Sequence, residues 1–195
     1  ALPDGEAYER FISETGQVPT RDNLHDLFNG LVWQTFPQSK AALNRLHRAE
    51  ISAHGVGAVR GPVRDAATLF DENGAVLLAP TALWDALLAR DWVQLFVKLR
   101  PLWAQARLVL FGHALMEQLV YPRKSITAHV LIEQFAINNE VNLDAALAER
   151  LTADHLRQKP FTPLPVLGVP GWWPANQAPD FYADTQVFRP RRSSV

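Results

Sequence analysis

Residues Pro101–Pro122, PLWAQARLVLFGHALMEQLVYP, are the stretch on which the reading of the chain turns. A proline at each end predicts a helix that starts at Pro101, where a fixed φ suits the first turn, and stops before Pro122. On a helical wheel, Leu102, Val109, Leu110 and Val120 fall on one side, while Leu108, Phe111, Leu115 and Leu119 fall on the other. A helix that is apolar nearly all round is buried on most of its surface. His113 and Glu117 sit one turn apart on it, so two ionisable groups are carried into the core. The expectation is a helical domain built around residues 102–120 with a polar spot inside it. What that spot does is not written in the stretch itself.

Working outward, 195 residues suit one domain, and a chain of this size buries roughly 70% of the surface its unfolded form exposes. There is no cysteine, which excludes thiolate zinc sites, redox pairs and thiol nucleophiles, and which fits a reducing compartment. A formal net charge of −1 argues against nonspecific binding to nucleic acid or an acidic membrane. No apolar run approaches the roughly 18–20 residues that cross a bilayer. The chain opens at Ala1 rather than methionine, which reads as an internal start.

Asn23 to Phe36 has apolar residues at 24, 27, 28, 31 and 32, a helical spacing that Pro37 ends. Asn23 is a suitable N-cap, with Asp26 three residues on as the partner of a capping-box-like pair. The face away from the apolar stripe gathers His25, Asp26, Asn29 and Trp33. Ser39 to about His54 is predicted as an amphipathic helix, followed by a charged loop at Arg60, Arg64 and Asp65. Ala67–Phe70 and Ala75–Leu78 flank Asp71-Glu-Asn-Gly74 and predict a β-hairpin over about 67–78, with Gly74 left-handed. Short helices are expected over 82–90 and 92–99. Ser125 is expected to cap a helix over 126–137, and Asn142 one over 143–156.

From Pro160 the composition changes. Seven of the 14 prolines lie in the last 36 residues, together with Trp172, Trp173, Phe181, Tyr182 and Phe188. That stretch is too aromatic for a disordered linker. It predicts a C-terminal extended strap, residues 160–190, laid across the helices by its tryptophans. The fold class expected is therefore mainly α, α+β at most. It comprises a single compact multi-helix domain over 1–195, a helical core at about 22–158, one hairpin and the strap.

The segments VPTRDNLHDLFNGLVW, FPQSKAALN, RGPVRDAATLFDENG, FGHALMEQLV, ITAH, PLPVLGVPGWW and FYADTQVFRP, in this order from about Tyr8 to Arg189, resemble a bacterial family, domain-of-unknown-function family 3025. The resemblance implies a bacterial origin and a cytoplasmic location, and its members carry a further stretch upstream. It supplies no activity and no catalytic residues, so chemistry must be argued from the side chains.

His113 and Glu117, at i and i+4, can supply two metal ligands or a base with its orienting carboxylate. The order H-x-x-x-E is not the H-E-x-x-H of zinc proteases. The plainer alternative is a core histidine bonded to its own glutamate or to a carbonyl. His25 with Asp26 is a second candidate pair, although capping already explains Asp26. Arg60, Arg64 and Asp65 can hold a phosphate or carboxylate, or simply tie a loop down by ion pairs. His129 could face the same interior as His113.

Two functions from different classes follow. One is a hydrolase-like enzyme with a partly buried site of His25, Asp26, His113 and Glu117, with or without a divalent metal. In that reading Asn29, Trp33, Arg60, Arg64 and Asp65 contact a small-molecule ligand. The other is a noncatalytic ligand- or protein-binding module with a structural polar core. Convergence of His25 with His113 favours the enzyme, and their separation favours the module.

Overall fold

The computed structural model describes residues 8–54, 61–135 and 142–191. Helices dominate, with a four-stranded mixed sheet between them. Helix α1 (Tyr8–Thr15) precedes α2 (Leu24–Thr35), which Asn23 caps by accepting the Asp26 N–H at 2.8 Å. Pro37 starts α3 (Pro37–His54) as well as ending α2. The cap of α3 comes from far along the chain. Asp144, in helix α7 (Leu143–Arg150), accepts from the backbone N–H of Gln38 at 2.9 Å and of Ser39 at 2.8 Å.

Residues 67–70 do not form a strand, which corrects the hairpin expected over 67–78. Pro62 at the first helical position and Val63, Ala66, Ala67 and Phe70 at helical spacing make helix α4 (Pro62–Asn73), and the apolar stripe is buried. Asp71, Glu72 and Asn73 complete its last turn rather than a β-turn. Gly74 has φ −71°, not a left-handed value, and opens strand β1 (Gly74–Leu78) directly.

The long helix expected over 102–120 is also absent. Arg100–Gln105 is a 3-10 helix, Arg107–Leu110 is strand β2, and helix α6 is confined to His113–Val120 with Gly112 as its cap. Apolar residues on every side of the wheel marked three short elements rather than one buried cylinder. The helix expected after Ser125 gives way to strand β3 (Thr127–Leu131); its end beyond 135 lies outside the described residues. Helix α5 (Thr81–Ala89) is as expected. The segment expected as helix 92–99 is instead largely a π-helical turn at Gln94–Lys98. The helix expected over 143–156 is broken at Leu151-Thr152, where Thr152 caps α8 (Ala153–Arg157).

The sheet order is β2-β1-β3-β4, where β4 is Phe161–Pro165. β1 runs antiparallel to β2 and parallel to β3, and β3 runs antiparallel to β4. Every residue of β1 is buried, as suits a strand covered on both faces. Ala75 and Leu77 face one core with Trp84, Phe96, Trp103 and Tyr182. Val76 and Leu78 face the other with Phe36, Leu43, Phe70 and Leu147.

The C-terminal segment differs from the strap expected over 160–190. It begins as strand β4, whose prolines suit a sheet edge, and continues in 3-10 turns. Its buried anchors are Phe181, Tyr182 and Phe188; Trp172 is 39% exposed, while Trp173 is half-buried against the same core. Buried Asn176 ties the turns together, donating to the carbonyls of Leu167 and Val169 at 2.9 and 2.8 Å.

Two contacts yield predictions. Asp144→Ala leaves the first turn of α3 without its acceptor and should cost about 1–3 kcal/mol, read by urea unfolding. A Cβ at Gly112 would overlap the backbone of Glu72 and Asn73. Gly112→Ala should therefore destabilise by about 1–3 kcal/mol, where an exposed helix cap would tolerate the change. An unchanged urea midpoint in either variant would contradict the corresponding contact.

Candidate functional site

Helix α2 is packed the opposite way from its sequence pattern. Leu24, Leu27 and Leu31 are 40, 53 and 45% exposed, while Asp26 and Asn29 are buried. The polar edge faces a cavity of about 580 Å³, lined from α2 by His25, Asp26, Asn29 and Trp33. Helix α3 contributes Lys40, Leu43, Asn44 and His47, one stripe at helical spacing. From α4 come Arg64, Thr68, Asp71 and Glu72, on the side away from its apolar stripe. His113 enters from the first turn of α6.

The two candidate histidines meet. His113 Nε2 lies 3.0 Å from His25 Nε2, with the rings edge-on at a centroid distance of 4.5 Å. Glu117 bonds His25 rather than its own helix neighbour, with Oε2 at 2.9 Å from His25 Nδ1. A carboxylate only accepts, so His25 Nδ1 is the donor. Glu72, in a stretch whose sequence reads as a turn, places Oε2 at 3.6 Å from His113 Nε2. Ligand atoms of His25, Glu72 and His113 all lie within 4.8 Å of one another. Gly112 makes this possible. Without a Cβ it seats the start of α6 on the backbone of Glu72 and Asn73, so His113 follows immediately beside the acidic end of α4.

Lys40 is the second group that the sequence did not single out. Only 4% exposed, it donates to Asn29 Oδ1 at 2.9 Å and to Asp71 Oδ1 at 2.5 Å. Asp71 Oδ2 then stands 3.9 Å from His113 Nδ1, too far for a hydrogen bond. Asp26 accepts from the Arg21 backbone N–H at 2.6 Å and from its guanidinium at 3.1 Å, which engages the carboxylate beside the cavity. The hydrogen bond from Arg21 lowers the Asp26 pKa, against the opposing effect of burial.

Of the remaining candidates, Arg64 and Trp33 line the cavity, whereas Asp65 is exposed in the first turn of α4 and is not among the lining residues. Arg60 lies outside the described residues. His129 sits on β3, opposite Gly74 and Pro163, and is not among the cavity's lining residues.

Burial is the main cause that pushes the His113 pKa down. Asp71 and Glu72 oppose the shift, while Lys40 and His25 add to it. The folded chain thus prefers neutral His113, while the unfolded chain binds a proton near pH 6.5. Stability of metal-free protein should fall as pH drops below about 6.5, until the folded ring also protonates. His113→Gln should flatten that part of a urea-midpoint-against-pH curve; an unaltered slope would count against a neutral buried ring.

Comparison with known proteins adds the family alone. No curated protein and no solved structure matches the chain. One family model does, described as a protein of unknown function (DUF3025), over residues 1–192. Covering nearly the whole length, that match places the chain in domain-of-unknown-function family 3025.

Proposed function

We propose that the protein is a hydrolase dependent on one divalent metal ion, held by His25 Nε2, His113 Nε2 and the Glu72 carboxylate. One observation carries the reading. With His25 Nδ1 committed to Glu117, a neutral His25 presents a lone pair at Nε2. His113 Nε2 must then donate, which leaves His113 Nδ1 a buried atom without a hydrogen-bond partner. A cation between the rings removes the conflict. Both Nε2 atoms become ligands, and His113 Nδ1 can carry its hydrogen toward Asp71.

That arrangement keeps the Glu117 carboxylate on the far nitrogen of His25, as metal-binding histidines commonly have, and sets Asp71 3.9 Å from that of His113. Two imidazoles and one carboxylate would make a three-ligand set of the kind catalytic zinc sites use. Such an ion would supply Lewis-acid activation of water near neutral pH. In this reading Glu117 fixes the His25 ring, Lys40 fixes Asp71, and Asp26 positions the start of α2. The chain is taken as one folding unit, because β4 near its end completes the sheet that β1 centres.

The 3.0 Å separation of the Nε2 atoms also suits a single shared proton, which is the noncatalytic reading. Elemental analysis of untagged protein separates the two. The expected result is close to one zinc, manganese or similar ion per chain, lost in His25→Gln, His113→Gln and Glu72→Gln while the circular dichroism spectrum is kept. Protein that neither retains nor takes up metal would refute the enzyme reading. Bound iron would replace hydrolysis by oxygen chemistry, since the same donor set serves non-haem iron.

A further inference from the structure

The cavity is lined beyond the histidines by donors left unsatisfied among the described residues. Arg64 Nε and Trp33 Nε1 are both buried and both lack a hydrogen-bond partner among the described residues. Each nitrogen can only donate, so each calls for an acceptor atom. Buried donors left unpaired are costly, and where they cluster in a cavity they mark where a ligand's acceptors go.

The charges point the same way. Three cations line the cavity, and two are matched: Arg21 with Asp26 and Lys40 with Asp71. Arg64 Nε has no acceptor among the described residues. Its position in the first turn of α4 adds the positive end of that helix. A neutral acceptor would satisfy the Trp33 N–H but leave the guanidinium without a counter-charge. An oxyanion answers both, because its oxygens accept while its charge balances Arg64. Asn44 Oδ1, also buried without a partner, lines the same cavity and can take a hydrogen from a hydroxyl attached to that group.

We infer that Arg64 and Trp33 form an oxyanion subsite, so that the substrate carries a phosphate or carboxylate group. The inference deepens the hydrolase reading and takes its reaction from it, but the subsite binds with or without the metal. The cavity, about 580 Å³, has the size of a small-metabolite pocket rather than that of a polymer groove.

The test titrates the full chain, stripped of metal by chelation, with inorganic phosphate and separately with acetate, by calorimetry. Saturable binding of at least one is expected, and which one binds identifies the oxyanion. Arg64→Gln should weaken it about tenfold or more, as loss of a charge-assisted bond does. Arg64→Lys should recover only part of it, because an ammonium lacks the fork. Trp33→Phe, which keeps the ring and removes one donor, should weaken it severalfold and guards against misfolding of the arginine variants. Failure of both ions to bind, or equal binding by wild type, Arg64→Gln and Trp33→Phe, would overturn the inference. Zinc titration of the same variants separates the two readings. Arg64→Gln should take up zinc like wild type, so metal binding without Arg64-dependent anion binding sinks the subsite alone. Anion binding without metal sinks only the hydrolase.

Discussion

The site depends on how closely two backbones approach at Gly74 and Gly112. The Gly74 carbonyl accepts the N–H groups of both Phe111 and Gly112, at 3.0 and 2.8 Å. A Cβ at either glycine would strike backbone, that of Phe70 in one case and of Glu72 and Asn73 in the other. Glycine is therefore required by space at both positions, not by φ, which is ordinary at each. Because α4 passes straight into the central strand, and α6 starts where β2 ends, this junction sets Asp71 and Glu72 against His113 without any flexible loop between. Side chains placed by the ends of packed elements are held more firmly than side chains on loops.

Around that junction the chain accepts an unusual packing of α2, with leucines outward and Asp26 and Asn29 inward. Burying charges costs several kcal/mol per ion unless each is paired, and an apolar interior of the same volume is often the more stable choice. Here the cost is contained by pairing: Lys40 with Asp71 and Asn29, Asp26 with Arg21, His25 with Glu117. Of the buried polar atoms without a hydrogen-bond partner among the described residues, Trp33 Nε1, Asn44 Oδ1, Arg64 Nε and His113 Nδ1 belong to residues lining the cavity. An interior evolved only to be stable would place apolar side chains there.

Parts of this were legible in the sequence. Asn23 and Asn142 were recognisable caps, and α2 and α5 followed from spacing and proline. Gly112, which falls inside the long helix expected over 102–120, instead caps α6 and marks a close approach to α4. Glu72 was missed because Asp-Glu-Asn-Gly is a strong turn signal, and the helical stripe of 63, 66, 67 and 70 outweighed it only through packing against the sheet. Strands 107–110 and 127–131 were hidden for the reason that buried strands often are: short apolar runs carry no period that separates them from helix. Lys40 looked like any solvated lysine on an amphipathic helix, and only the tertiary structure turns it inward.

The charges around His25 and His113 suit the proposed cation. Asp71, Glu72 and Glu117 gather around His25 and His113, and Lys40 pairs with the first of them, while Arg64 stands at the other end of α4. The C-terminal end of α4, where Asp71 and Glu72 sit, adds its own partial negative charge and so favours a cation further. The opposite end of the same helix carries Arg64. A single element thus presents an electronegative terminus to the proposed metal and an electropositive terminus to the proposed substrate oxyanion. A substrate laid along α4 would have its anionic group at Arg64 and a separate reacting bond toward His25 and His113.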